Sequence, residues 1–330
     1  MIRGNYESDH DKRKELPHSE LGTIPHVPFE VYSERLKDFL IMKRTNGILE
    51  ARMHTDGDSL QWNAQAHQGL HYFFDWAGRD PDNEVIILGG SGKDLFKGIG
   101  RKRPDGEWDV AHEFASEPEN SWRLYDYQYY DGTNDIEGQV FDVEVPTIGV
   151  WNGAAFHTDL VMFSDITLAT EDAWTTEMHF RVNMVPGDGI QIAWRELMGR
   201  KRFAYAELTG EIITARKALA LGMVNEICDD TEAAYARAHE IAELIMHTGT
   251  RQTRRLTVQQ LRKPWKQDIA NELRNAFATE MWNTATEHSP HEVSFWEWAH
   301  EEAELVKEAE KAGKVIRPRL NGGQLEEEIK

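Results

Sequence analysis

The stretch Asn83-Glu-Val-Ile-Ile-Leu-Gly-Gly90 is apolar at consecutive positions instead of alternate ones. A strand with one face in water alternates. An unbroken run needs cover on both faces, as parallel strands flanked by helices have. Pro146-Thr-Ile-Gly-Val-Trp151 and Asp165-Ile-Thr-Leu-Ala169 repeat the pattern. Helical spacing marks Ala64–Ala77, Ala204–Ala220 around Thr209-Gly210, Ala233–Met246 and Ile269–Thr286. Strands alternating with helices define an α/β fold. Ahead of them, residues 36–47 and 48–54 read as two strands around Asn46-Gly47, a strong hairpin signal.

At 330 residues the chain can bury one large core or two smaller ones. No apolar run approaches the ~20 residues that span a bilayer, so a membrane is not expected as a partner. The first ten residues carry no apolar signal core, and Cys228 is the single cysteine. Both fit a cytoplasmic protein without disulfides. A net charge of −20 repels polyanions, which argues against nucleic acid. Residues 1–27 are polar and aperiodic, and read as an extension that packs on a neighbouring subunit. Residues 101–140 read as an insertion rich in Asp, Tyr, Trp and Gly. Its Trp122, Tyr125, Tyr127, Tyr129 and Tyr130 are expected to reshape a pocket entrance. The tail from Glu301 is charged and begins as helix.

The chemistry concentrates in Met178-His-Phe-Arg-Val-Asn-Met-Val-Pro-Gly-Asp-Gly189 and in Trp151-Asn-Gly-Ala-Ala-Phe-His-Thr-Asp159. His179 and Asp188 flank a Val-Pro-Gly turn that can fold the carboxylate back toward the imidazole. Such a pair activates water near neutral pH. His157-Thr-Asp159 has the look of half a metal site, but no third ligand follows at a recognisable spacing. Gly89, Gly90 and Gly92 form neither a dinucleotide nor a P-loop signature. No metal and no organic cofactor is expected. His54 reads as a turn residue, and His288 and His291 as a helix terminus.

Several landmarks together resemble the crotonase (enoyl-CoA hydratase) superfamily. They are Val85-Ile-Ile-Leu-Gly-Gly-Ser-Gly92 with Phe96, Pro146 through Asn152-Gly153 to Ser164-Asp165, Val185-Pro-Gly187, and Leu208-Thr-Gly210 through Ala215, Ala218, Gly222 and Val224. The resemblance implies a crotonase-like spiral of ββα units over residues 28–230. C-terminal helices over 231–330 would then build a homotrimer or a dimer of trimers. Hydratases of that family place catalytic glutamates where this chain has Asp159 and His179. Their glycine cluster for the oxyanion hole is replaced by Ala155-Phe156-His157, and Gly98 falls near the other half of that hole. These departures resemble the β-diketone hydrolase branch typified by 6-oxocamphor hydrolase. That resemblance rests on His54-Thr-Asp-Gly-x-Ser-Leu-x-Trp62, His67, His157 and His179 through Gly189. It implies that His179 and Asp188 serve catalysis, that Trp62, His67 and His157 line the pocket, and that Glu280 reaches the site from a C-terminal helix. His157 and Glu280 are counted with the catalytic group, and Phe156, Gly98 and Asp159 are expected to border the substrate.

The reaction expected is cleavage of a cyclic or bicyclic β-diketone by water, a reverse Claisen step giving a keto acid. His179 is expected to take the proton from water, with Asp188 accepting its second ring N–H. Trp62, His157 and His67 are candidate donors to the carbonyl oxygens. Two alternatives remain. One is an acyl-CoA hydratase or isomerase using Asp159 with His179; the other is a silent scaffold whose extensions bind a protein.

Overall fold

The computed structural model describes residues 25–102, 108–109, 124–286, 292–318 and 325–328. The hairpin forms as expected: strand β1 (Leu40–Thr45) pairs antiparallel with β2 (Ile48–Met53), from Leu40 opposite Met53 to Thr45 opposite Ile48. Asn46 (φ 52°) and Gly47 (φ 83°) are both left-handed, which a two-residue turn of this twist demands. A short strand β3 (Leu60–Trp62) leads into helix α1 (Ala64–Arg79). Asn63 caps that helix by accepting from the backbone N–H of Gln65.

The apolar runs become β4 (Val85–Gly90), β6 (Thr147–Trp151) and β8 (Ile166–Thr170), with β5 (Phe96–Ile99) and β7 (Ala154–Ala155) between them. Two short strands, β9 (Trp174–Thr175) and β10 (Ile213–Thr214), and β11 (Glu226–Cys228) follow. The main sheet has the order β1-β2-β4-β6-β8-β11, and every pair after the hairpin is parallel. Alternate residues of β4 enter different cores. Val85 and Ile87 pack under helix α2 (Thr231–Thr248) with Tyr235 and Ala238, whereas Ile86 and Leu88 join Leu70 and Phe73 of α1. Cover on both faces is the physical reason for the unbroken apolar run. A smaller sheet, β10-β9-β7, lies beside the main one.

Helix α3 (Arg274–Thr286) and helix α4 (Glu292–Lys311) complete the described C-terminal region, and Lys314–Arg317 then pairs with Leu325–Glu328. No helix of the described residues is long and apolar enough to cross a membrane. The helical run expected over 204–220 is split. Arg200–Thr209 stops at left-handed Gly210 (φ 61°), β10 intervenes, and Thr214 caps a new helix, Ala215–Leu221. Within the 101–140 insertion the structure describes a continuous helical stretch from Leu124 to Asp142. Trp122, His288, His291 and residues 1–24 lie outside the described residues.

One buried ion pair ties the C-terminal helices to the sheet. The Arg262 guanidinium donates to both oxygens of Asp165, at 2.8 and 2.6 Å, and to the carbonyls of Val143 and Val145. Breaking a buried pair leaves the other charge uncompensated, at a cost of about 3–5 kcal/mol. Arg262→Ala should therefore lower unfolding free energy by about that amount in urea titrations. A loss within ~0.5 kcal/mol, typical of surface substitutions, would show the pair to be idle.

Candidate active site

Two segments leaving the main sheet bring the site together. After β6 the chain passes through β7 to Phe156 and His157. After β8 it passes through β9 to Thr176-Glu177-Met178 and a single tight helical turn, His179–Val182. Asn183 (φ 61°) ends that turn in the left-handed region, and Val185-Pro-Gly reverses the chain toward Asp188. The reversal docks on α3. The backbone N–H of Val185 donates to Asn283 Oδ1 at 2.8 Å. A Cβ built at Gly187 would stand 2.3 Å from the carbonyl oxygen of Ala276 and 3.0 Å from Cβ of Glu280. Only glycine lets the turn lie so close to the helix that carries Glu280.

His179 stands at the centre. Its Nδ1 lies 2.5 Å from Glu177 Oε1, and the same oxygen accepts the backbone N–H of His179 at 2.8 Å. Its Nε2 faces Asp188 Oδ2 at 3.4 Å and Glu280 Oε1 at 3.9 Å. Asp188 Oδ2 also lies 3.1 Å from Nδ1 of His157, so one carboxylate serves two imidazoles. His157 stacks on the Trp62 indole, with centroids 4.4 Å apart and planes 27° from parallel. His67, in the first turns of α1, meets Trp62 edge-on and holds Asp135 Oδ2 at 2.7 Å through Nδ1.

The imidazoles, Trp62, Asp188 and Glu280 border a small, partly open cavity. Trp62, Ile99, Phe156, Met178, Val182 and Met184 give it apolar walls. His67, Gln128, His157, His179, Asp188 and Glu280 supply the polar groups. Two expected residues do not border it. Asp159 is buried behind His157, 3.5 Å from its Nδ1. Gly98 sits on β5 opposite Gln61, one residue before Ile99. His54 is likewise elsewhere, accepting from the Gly57 N–H at 3.0 Å, as a turn residue does.

Sequence spacing assigned Asp188 to the second ring nitrogen of His179; in the structure Glu177 holds that nitrogen. A carboxylate two residues upstream reaches both the ring and the backbone N–H of His179, so the contact is local and was masked by the more conspicuous Pro-Gly turn. Asp135, Gln128 and Glu207 were also unforeseen. The first two come from the insertion, where no motif marks them.

Opposing charges set the protonation of the cluster. Burial works against charge on His179, but Glu177 and then Asp188 outweigh it, and its pKa lies well above 6.5. Burial opposes charge on His157 too, yet Asp188 and Asp159 raise it above 6.5. Asp188 would be driven neutral by burial, but His179 and His157 hold it well below the usual carboxylate range. At Glu280 burial, reinforced by Asp188, outweighs the opposing pull of His179 and lifts the pKa well above 4.5. Glu207, buried near Glu177, is pushed up to about 8 by burial and then by that neighbour's charge. Burial, followed by His157, lowers His67 to about 4, so it stays neutral. His179, Asp188 and Glu280 present ligand atoms within 4.8 Å of one another, the one such group with cation-holding geometry found among the described residues.

The chain matches the enoyl-CoA hydratase/isomerase family over residues 63–293. It belongs to that family, a member of the crotonase superfamily of enzymes, and has its mixed α/β fold. Among solved structures it is similar to ABDH, a β-diketone hydrolase from the cyanobacterium Anabaena sp. PCC 7120 bound to (S)-3-oxocyclohexyl acetic acid. The identity is 30% and the TM-score 0.70, over 79% of this chain and 99% of that one. An enoyl-CoA hydratase/isomerase from Mycobacterium paratuberculosis shares the fold at 20% identity and TM-score 0.66, over 80% of this chain and 98% of that one. A curated relative, the probable peroxisomal enoyl-CoA hydratase 1 of Arabidopsis thaliana, is 27% identical over 51% of this chain and 57% of its own length.

The Glu177 contact has a measurable consequence. Its charge favours imidazolium, so Glu177→Gln should lower the His179 pKa, with Asp188 left to oppose burial. Nitrogen chemical shifts of the His179 ring followed against pH would record the change. An unmoved titration would mean that Glu177 carries no charge there.

Proposed function

We propose that this protein is a hydrolase that cleaves a carbon–carbon bond of a cyclic β-diketone, yielding a keto acid. The observation that carries this reading is the orientation of His179. Its Nδ1 is taken by Glu177, which leaves Nε2 directed into an apolar-walled cavity between Asp188 and Glu280. Similarity to a β-diketone hydrolase over nearly the whole of that enzyme's chain supports it.

In this reading water sits beside Nε2 of His179 and the Glu280 carboxyl. His179 takes a proton as the oxygen adds to one carbonyl carbon, a role worth ~10²–10⁴-fold. Glu177 steadies the imidazolium formed, as the aspartate of a hydrolytic triad does. The tetrahedral alkoxide then collapses to a carboxylic acid. The C–C bond electrons move onto the second carbonyl as an enolate. His157, kept protonated by Asp188, donates toward that oxygen, with the Trp62 face behind it. His179 returns its proton to the enolate carbon, so water is fully consumed. Glu280, neutral through burial, orients the water as a donor.

The curated relatives' names favour a thioester substrate, and crotonyl-CoA is the matched control. Purified protein should consume a cyclic 1,3-dione with release of acid and leave crotonyl-CoA untouched. His179→Ala should lose at least ~10²-fold in kcat. Because free imidazole is the active form and its pKa is raised, kcat/KM should climb with pH through a value above 6.5. Hydration of crotonyl-CoA with no dione turnover would reject the proposal in favour of the acyl-CoA reading.

A further inference from the structure

We infer that the same pocket is a binding site for a zinc-type divalent cation, held by His179 Nε2, Asp188 and Glu280, and that this ion inhibits the enzyme. The binding half stands on geometry alone. The inhibition half rests on the proposed hydrolase mechanism, in which Nε2 of His179 must be free.

The three ligands come from separate parts of the chain: a tight turn, a Pro-Gly reversal and helix α3. Spacing in the sequence offers only His157-Thr-Asp159, which has no third partner. The fold assembles a different trio. Donors that each stand ~2.0–2.2 Å from one ion lie about 3–3.5 Å apart. His179 Nε2 and Asp188 Oδ2 are already at 3.4 Å, and Glu280 Oε1 is at 3.9 Å from the same nitrogen. All three donor atoms lie within 4.8 Å of one another, so closing the set needs a side-chain shift on the order of 1 Å.

A second observation points to a ligand. Asp188 Oδ1 and Glu280 Oε2, the second oxygens of the two carboxylates, are buried and have no hydrogen-bond partner among the described residues. Buried carboxylate oxygens are costly unless a donor or a metal satisfies them. The far nitrogen of His179 is held by Glu177 at 2.5 Å, the arrangement that orients an imidazole on a metal and raises its basicity. Asp159 adds further acidic character behind His157. One nitrogen and two carboxylates with an open side facing a cavity suit Zn²⁺ or Co²⁺. Mg²⁺ keeps most of its waters and demands octahedral geometry, so it fits poorly.

An ion here takes the lone pair that would accept a proton from water. It also draws Asp188 off His157. The outcome is inhibition, reversed by a chelator.

The test uses tag-free, chelator-treated full-length protein titrated with Co²⁺ and followed by visible absorption. Saturation at one Co²⁺ per chain is expected. Glu177→Gln, which keeps the side-chain shape, should weaken binding ~10–100-fold. His239→Gln, which alters a surface imidazole paired with Glu50, should leave binding unchanged. Zn²⁺ should displace Co²⁺ and slow dione cleavage over the same concentration range, with full recovery on chelation. Absence of a saturable band, or a band indifferent to both Glu177→Gln and His179→Ala, overturns the site. Activity that falls on chelation and returns with Co²⁺ overturns inhibition. A band that behaves as expected in a protein inert toward every dione upholds the site and rejects the hydrolase reading.

Discussion

The contact between Glu177 and Nδ1 of His179, at 2.5 Å, decides what the rest of the pocket can do. A histidine whose far nitrogen is fixed has one free nitrogen and one ring orientation. Here the free nitrogen looks into the cavity, with Asp188 and Glu280 to either side. Glu177 also binds the backbone N–H of His179, so ring and backbone are set by one carboxylate. Glu207 lies behind it, its pKa pushed up to about 8 by burial and by the Glu177 charge. A neutral neighbour leaves Glu177 the negative charge that His179 needs.

Acidic and basic groups then sort by their surroundings. Asp188 lies between two imidazoles and stays ionised; Glu280, with less compensation, leans to the neutral acid. Two carboxyls whose donor atoms lie within 4.8 Å of the same imidazole nitrogen are thereby pushed in opposite directions, one toward charge and one toward the neutral acid. In the proposed reading the reactive group is the His179 imidazole, where the resemblance to hydratases would place a glutamate carboxylate. Phe156 and His157 alter the neighbouring wall, and Trp62 backs His157 at 4.4 Å. In this reading, an imidazole replaces an oxyanion hole for thioesters with a donor for an enolate.

Much of the fold was legible in the sequence because burial on both faces writes an unbroken apolar run, as in β4, and because Asn46-Gly47 can make only a few turns. The break at Gly210 was not, since helical spacing continues through it and only the left-handed residue marks the stop. At the site, His179, Asp188, His157, Trp62 and His67 were picked out by motif, and the structure places all five around one cavity. Glu280 joins them from α3, where no local pattern marks it as special. Glu177 escaped notice because a contact two residues away leaves no periodic trace. Gln128 and Asp135 escaped because they lie in an insertion whose helix carries no motif. Asp159 and Gly98 lie one layer behind the cavity lining: the first supports His157, and the second is on the strand beside Ile99.

The most direct measurement is a crystal structure with the keto-acid product of a cyclic β-diketone bound. The account puts a carboxylate oxygen of that product within hydrogen-bond reach of His179 Nε2. Its ketone oxygen should lie at His157, and Glu177 should remain on Nδ1. A product carboxylate bound away from His179, or an imidazole turned so that Nε2 meets Glu177, would contradict it.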